Sequence, residues 1–303
     1  MSQNSYPPLM AEQIEQFLQR GHVVISDCFS REFAENWTTN AFHRLGYSPD
    51  DPATWEQEIV HMPASQRVPM QEIAPKAWQA ACELLGGEDR VTPCNWGDGM
   101  IVNFRKGADL PWQPPSPQAG GWHKDGDFFR HFLDSPEQGL LTIVIWSDIA
   151  PRGGGTFVAC DSVAPVARVL AAHPEGVTPG GAPEASFNSR IHECHDFIEL
   201  TGKIGDVVLI HPFVLHASSQ NHGGKARFIT NPPISLKEPM QFNRENPADF
   251  SPVEQAILRG LGVERLDFEP TAPRERLVSE GMKRKQKMLE EEKARLASGG
   301  VAS

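Results

Sequence analysis

The chain has 303 residues, of which 39% are hydrophobic and 22% charged, with a formal net charge of -11. That length supports a sizeable core, and the acidic balance argues against nucleic acid or an anionic membrane as the partner. Five widely spaced cysteines (Cys28, Cys82, Cys94, Cys160 and Cys194) include no Cys-x-x-Cys pair, which argues against a disulfide framework or a zinc ribbon and for a reducing, cytoplasmic setting. No run approaches the roughly 20 apolar residues that cross a bilayer. The first residues, MSQNSYPPLMAEQ, lack the basic flank and apolar stretch of a secretory leader.

The first 95 residues read as a mainly helical scaffold with one early strand. Over Met10–Arg20 the apolar residues Ile14, Phe17 and Leu18 share a helical face, and Gly21 stands where a helix ends in a left-handed residue. His22–Asp27 reads as a strand. A second helix begins at Pro75, carries Trp78, Ala81, Cys82 and Leu85 on one face and stops at Gly86-Gly87. From residue 96 to 235 the pattern becomes short strands between Gly and Pro clusters: Gly99–Phe104, Gly121–Asp125, Leu140–Trp146, Gly155–Ala159, Phe197–Leu200, Asp206–His211 and Arg227–Asn231. LLTIVIW at Leu140–Trp146 fits a strand buried on both faces, and strands at this spacing point to a β-sandwich or jelly roll.

Two long loops interrupt the strands, Lys106–Gly120 and Ala171–Ser189. The first is expected to cover the site as an entrance loop, because it is long, rich in proline and joined to the segment that follows it. Residues 236–270 form a C-terminal helical part, with a capping box at Ser251-Pro-Val-Glu254. The chain thus reads as one domain over residues 1–270 and a charged tail over 271–303, helical or frayed. The tail carries no site motif and is expected to be dispensable for chemistry, with a dimer-clasping helix as the alternative.

The stretch GGWHKDGDFF at Gly120–Phe129 places His123 and Asp125 two residues apart. On a strand both side chains reach one face, where an imidazole and a carboxylate can bind one ion. His173-Pro-Glu175 has the same spacing, so the pair alone decides nothing. A two-histidine, one-carboxylate iron site needs a second, distant histidine and leaves positions open for other ligands. His211 and His216 are the candidates, and His211 is the weaker, since it precedes Pro212 and reads as a core histidine. If an arm starting at His216 turns at Gly223-Gly224 and returns through Lys225–Asn231, Gln220 pairs with Arg227 and Ser218 with Ile229. His216, Ser218, Gln220 and Arg227 then share a face. A 2-oxo acid suits such a face: it chelates the metal at one end and offers its far carboxylate to an arginine and a hydroxyl.

Trp122-His123-Lys-Asp125, Ile145-Trp-Ser-Asp148 with Gly153-Gly-Gly-Thr-Phe, and Gly205-Asp-Val-Val-Leu-Ile-His-Pro followed by Leu215-His216-Ala-Ser218 and Arg227 together resemble the phytanoyl-CoA dioxygenase family of Fe(II)/2-oxoglutarate oxygenases. The resemblance runs from the first helix to the helix at Ser251. It implies a mainly β fold with flanking helices around a double-stranded β-helix, the cupin-like jelly roll. It implies Fe(II) ligands at His123, Asp125 and His216, with Arg227 and Ser218 holding 2-oxoglutarate, and O2 as oxidant. Two departures touch the surroundings of the metal: Ala159-Cys-Asp-Ser162 stands where the family often shows Gly-Ser-His, and Lys124 where many members carry glutamine.

The expected reaction is oxidation of a small molecule, by hydroxylation, desaturation or cyclisation, with release of succinate and CO2, in secondary-metabolite or amino-acid-derived biosynthesis. A catalytically inactive cupin-like binding protein and an acyl-CoA hydroxylase are the alternatives. Phe128, Phe129, Arg130 and His131, directly after the ligand pair, are the candidate substrate contacts, and the assembly is expected to be a monomer or homodimer.

Overall fold

The computed structural model describes residues 6–181 and 186–297. Helix α1 (Ala11–Arg20) ends at Gly21, whose φ of 65° lets its N–H reach Phe17 O. Glycine adopts that left-handed conformation without strain, and a Cβ there would lie 2.5 Å from Val214 Cγ2. The chain reverses into β1 (His22–Ile25) and then α2 (Arg31–Leu45), which starts where Ser30 Oγ accepts from Phe33 N. There follow β2 (Ile59–His61), β3 (Arg67–Pro69), α3 (Met70–Ile73), α4 (Pro75–Leu84), β4 (Asn95–Gly97) and β5 (Ile101–Asn103). The second half holds β6 (Leu140–Ile145), β7 (Thr156–Ala159), α5 (Val163–Ala172), β8 (Phe197–Leu200), β9 (Val207–Ile210), β10 (Leu215–Ser218), β11 (Arg227–Thr230) and β12 (Pro233–Ile234). Helices α6 (Pro252–Leu261) and α7 (Glu280–Ala297) complete the order.

The strands form antiparallel sheets flanked by helices. The large sheet runs β1-β9-β6-β11-β5-β2 with β12 also on β6, a smaller one runs β10-β7-β8, and β3 pairs with β4. As its unbroken apolar run requires, β6 is buried at every position; its one hydroxyl, on Thr142, donates to Pro232 O at 2.7 Å. Next to it Trp146 stacks on Trp37 of α2, centroids 4.9 Å apart, and donates Nε1–H to Thr230 Oγ1. This fixes α2 against the large sheet. The Ser251–Glu254 capping box forms as expected, with Ser251 Oγ accepting from Glu254 N and the Glu254 carboxylate accepting from Ser251 N. No helix among the described residues is long and apolar enough to cross a membrane.

Three expectations need correction. Gly121–Asp125 is not a strand; it carries one isolated bridge, His123 to His216. The hairpin joining β10 to β11 does not form either. Ser218 pairs with Thr156 of β7, whereas Arg227 pairs with Asn103 of β5 and Ile229 with Ile145 of β6, so the chain passes from the small sheet to the large one between them. Asn221 pins that passage, donating from Nδ2 to Asn103 O and Lys225 O. The tail, finally, is docked: Glu292 of α7 meets Arg44 in a bidentate pair of 2.7 and 3.0 Å, in which the two side chains are 9% and 4% exposed. Asp98, itself buried, completes the cluster at 3.0 Å from Arg44 Nη1.

Candidate metal centre and its cavity

His123 and His216 exchange two backbone hydrogen bonds of 3.0 Å each. Residues paired in that way across an antiparallel bridge point their side chains to the same side, and Asp125, although outside any strand, brings its carboxylate beside them. One donor atom from each of the three residues lies within 4.8 Å of the others. His123 Nε2 stands 3.4 Å from Asp125 Oδ1 and His216 Nε2 3.5 Å from Asp125 Oδ2. Both imidazoles are held from behind, since the Nδ1 of His123 bonds Gly121 O at 2.8 Å and that of His216 bonds Val214 O at 3.2 Å. With Nδ1 as donor, Nε2 is the atom left to face the centre. Burial opposes the charge of Asp125, but the His216 and His123 imidazoles outweigh it and hold the carboxyl well below its usual range. Asn231 Nδ2 donates to Asp125 Oδ2 at 2.7 Å and fixes its rotation. Two imidazole nitrogens and a carboxylate, each oriented by a further hydrogen bond, are a donor set that fits Fe(II).

Arg227 reaches the same cavity from the opposite sheet. It is 2% exposed, and its Nε and Nη1 donate to the carbonyls of Gly154 at 2.5 Å and Ile101 at 3.2 Å. No carboxylate pairs with it among the described residues, and burial pushes its pKa down to about 9. A buried guanidinium without a counter-ion is costly, and an anionic ligand in this cavity would relieve it. Ser218 Oγ is buried without a hydrogen-bond partner and lines the cavity too. The chemistry of these two groups fits the far carboxylate of a dicarboxylic oxoacid.

Residues 17–229 match the sequence profile of the phytanoyl-CoA dioxygenase (PhyH) family. The chain belongs to the phytanoyl-CoA dioxygenase family. It is an iron- and 2-oxoglutarate-dependent dioxygenase. A probable alpha-ketoglutarate-dependent hypophosphite dioxygenase of Stutzerimonas stutzeri is 25% identical over 229 residues, spanning 73% of this chain and 77% of that one. Among solved structures, a non-heme alpha-ketoglutarate-dependent carbocyclase from nogalamycin biosynthesis aligns at TM-score 0.45 and 15% identity, covering 75% of this chain and 84% of the other. EctD from S. alaskensis, with 2-oxoglutarate and 5-hydroxyectoine, aligns at TM-score 0.43 and 19% identity, covering 78% of each.

In this dioxygenase the cavity holding the triad and Arg227 measures about 1080 Å³. Of the four candidate substrate residues, only Phe128 lines it. Phe129 is 1% exposed and His131 2%; both are packed into the interior, where Lys124 Nζ sits 2.9 Å from His131 Nδ1. Arg130 is taken by Glu275 at 2.8 Å. The strand alternation assumed for this stretch fails, because the chain turns at Gly126, φ 113°. His211 is a neutral core residue, its pKa lowered to about 3 by burial; Nδ1 accepts from Phe213 N and Nε2 faces Val253 O. His173 Nδ1 lies 2.8 Å from Glu175 Oε1, and among the described residues no third donor stands beside them.

No residue of Lys106–Gly120 lines the cavity, which corrects the entrance-loop expectation. Gln220 explains why: it accepts from Gln113 N and donates to Gly107 O and Pro111 O, tying the loop to the end of β10. Part of the wall is supplied instead by residues between Arg276 and Glu291 of the C-terminal segment, including Arg284, Lys285 and Met288. Sequence reasoning also missed Asn231 and His61. Neither has a spacing signal, and only the folded sheet brings them to the cavity.

Proposed function

We propose that His123, Asp125 and His216 hold Fe(II), and that Arg227 and Ser218 bind the far carboxylate of 2-oxoglutarate, so that the protein oxidises a small organic molecule. The two antiparallel sheets are read as the faces of a double-stranded β-helix enclosing the site. One observation carries the reading: three nitrogen and oxygen donors within 4.8 Å of one another share a cavity with a buried arginine that has no carboxylate partner. When bound, iron(II) and 2-oxoglutarate supply O2-dependent decarboxylation to succinate and CO2, coupled to oxidation of the substrate.

The protein's own part is orientation and exclusion. The carbonyls of Gly121 and Val214 set both imidazole rings, and Asn231 sets the carboxylate. Arg227 and Ser218 fix one end of the oxoacid. Leu141, Ile143 and Ile229 give an apolar wall that keeps water from the reacting carbon. Hydroxylation, desaturation and ring closure all use this arrangement. A small-molecule substrate fits the cavity size.

Titration with 2-oxoglutarate under anaerobic conditions tests the reading, because chelation of iron by the oxoacid produces a visible charge-transfer band. Arg227→Leu leaves a buried carboxylate unpaired, a loss on the order of 3–5 kcal/mol, and at least about a hundredfold weaker oxoacid affinity is expected with iron affinity retained. Ser218→Ala should cost about 1–2 kcal/mol. Alanine at His123, Asp125 or His216 should abolish the band and succinate formation, whereas His173→Ala should change neither. An Arg227→Leu protein that binds the oxoacid like the parent overturns the assignment.

A further inference from the structure

We infer that the C-terminal segment is the substrate-binding cap of this cavity, and that Arg276, Arg284 and Lys285 select a small amphipathic substrate bearing a carboxylate or phosphonate-type anion. The inference rests on the metal and oxoacid reading above and adds the class of substrate to it.

The cap is built into the fold. Arg276 lies in a strap that pairs with the residues just after the triad's carboxylate: Arg130 N donates to Glu275 O at 2.9 Å and Leu277 N to Phe128 O at 2.8 Å. Ser279 Oγ then accepts from Met282 N at the start of α7. At its far end α7 is held by the buried Arg44–Glu292 pair and by Arg295, which donates to Arg44 O. Fixed at both ends, the segment keeps Arg276, Arg284 and Lys285 on the cavity wall.

These three cations make no ion pair among the described residues. With Asp125 assigned to the metal, the wall offers only Asp127 and Glu291 against them, and Glu291 lies 3.6 Å from Lys287. In a chain of net charge -11 a positive mouth runs against the average and would draw anions inward. His61 shares this cavity wall, and its pKa is lowered first by burial and then by the charges of Lys285, Arg227 and His123, against Asp125. The opposite side, Ile101, Leu141, Ile143 and Ile229, is apolar. An apolar body against the sheet and an anion toward the cap satisfy both surfaces.

The probes are octanoate, octylphosphonate, octanamide and octylamine, titrated calorimetrically into the zinc-loaded, redox-inert protein saturated with 2-oxoglutarate. At least one anion should bind ten times or more tighter than octanamide, and the preferred anion names the head group. Arg284→Gln/Lys285→Gln should weaken that anion at least tenfold while zinc and 2-oxoglutarate bind unchanged. Arg284→Glu/Lys285→Glu should reverse the preference toward octylamine. Equal binding of octanamide, unaltered anion affinity in the glutamine variant, or failure of both anions to bind overturns the inference. Failure of zinc or 2-oxoglutarate to bind the parent protein overturns the site assignment instead.

Discussion

Lys106–Gly120 and Arg274–Ala297 are both long segments laid over the same core, and they are immobilised by different means. The first is held by hydrogen bonds without an ion pair, three of them to the one side-chain amide of Gln220 and one from Gly107 N to the Glu58 carboxylate, with Trp112 packed edge-on against Phe157. The second is held by charge: Arg274 to Asp134 at 2.7 Å, Arg130 to Glu275, and Glu292 to the buried Arg44. Proline content and surface charge say little about which segment reaches a cavity. What counts is the partner waiting on the core, and here the charged segment finds buried counter-ions in Arg44 and Asp134 while the proline-rich one is tied behind β10.

Removing residues after Pro273 should separate the two most sharply. His216 and Arg227 stay on the sheets and His123 keeps its bridge to His216, so iron and 2-oxoglutarate should still bind, with the charge-transfer band intact. The cavity loses one wall, and octanoate binding and substrate-coupled succinate formation should fall at least about a hundredfold. A truncated protein that couples normally would return the segment to the status of a dispensable tail.

Glu292→Ala attacks the charged anchorage alone. Arg44 keeps Asp98, so the cost should be on the order of 1–3 kcal/mol, below that of stripping a buried ion of its only partner. Amide hydrogen exchange should quicken in α7 and remain unchanged in Lys106–Gly120. Exchange that quickens equally in both would mean that the segments are not independently held.

Gln220→Ala is the smallest perturbation and the mirror of the last. The lost bonds are each worth about 0.5–1.5 kcal/mol. Limited proteolysis should open Lys106–Gly120 without altering the binding of octanoate. One link to the site runs through this loop, since Lys106 Nζ donates to Ser218 O at 2.5 Å. A shift in 2-oxoglutarate affinity in this variant would show that the link matters.

The chemistry of the centre was legible because it rests on residue types at fixed spacing. His123 and Asp125 announce themselves, and His216 with Arg227 completes a recognisable family pattern. The arrangement that joins them was not legible. A hairpin at Gly223-Gly224 satisfies local turn chemistry, yet both strands find better partners elsewhere, Ser218 with Thr156 and Arg227 with Asn103. Tertiary pairing overrode local geometry and still delivered both side chains to one cavity. Helices α2 and α5 were missed as individual elements. The role of Arg276–Lys285 was hidden for a similar reason, because the buried cluster of Arg44, Asp98 and Glu292 is assembled from three distant parts of the chain.

The reciprocal backbone bonds between His123 and His216 also bear on how this scaffold tolerates change. The spacing of the two imidazoles is set by that local doublet and not by the length of polypeptide between them. Insertions or deletions in the intervening segments can therefore accumulate without altering the spacing of the two imidazoles, whereas a single proline replacing either histidine's neighbour would propagate to both at once. The centre behaves as a rivet that fastens the segment carrying His123 and Asp125 to β10.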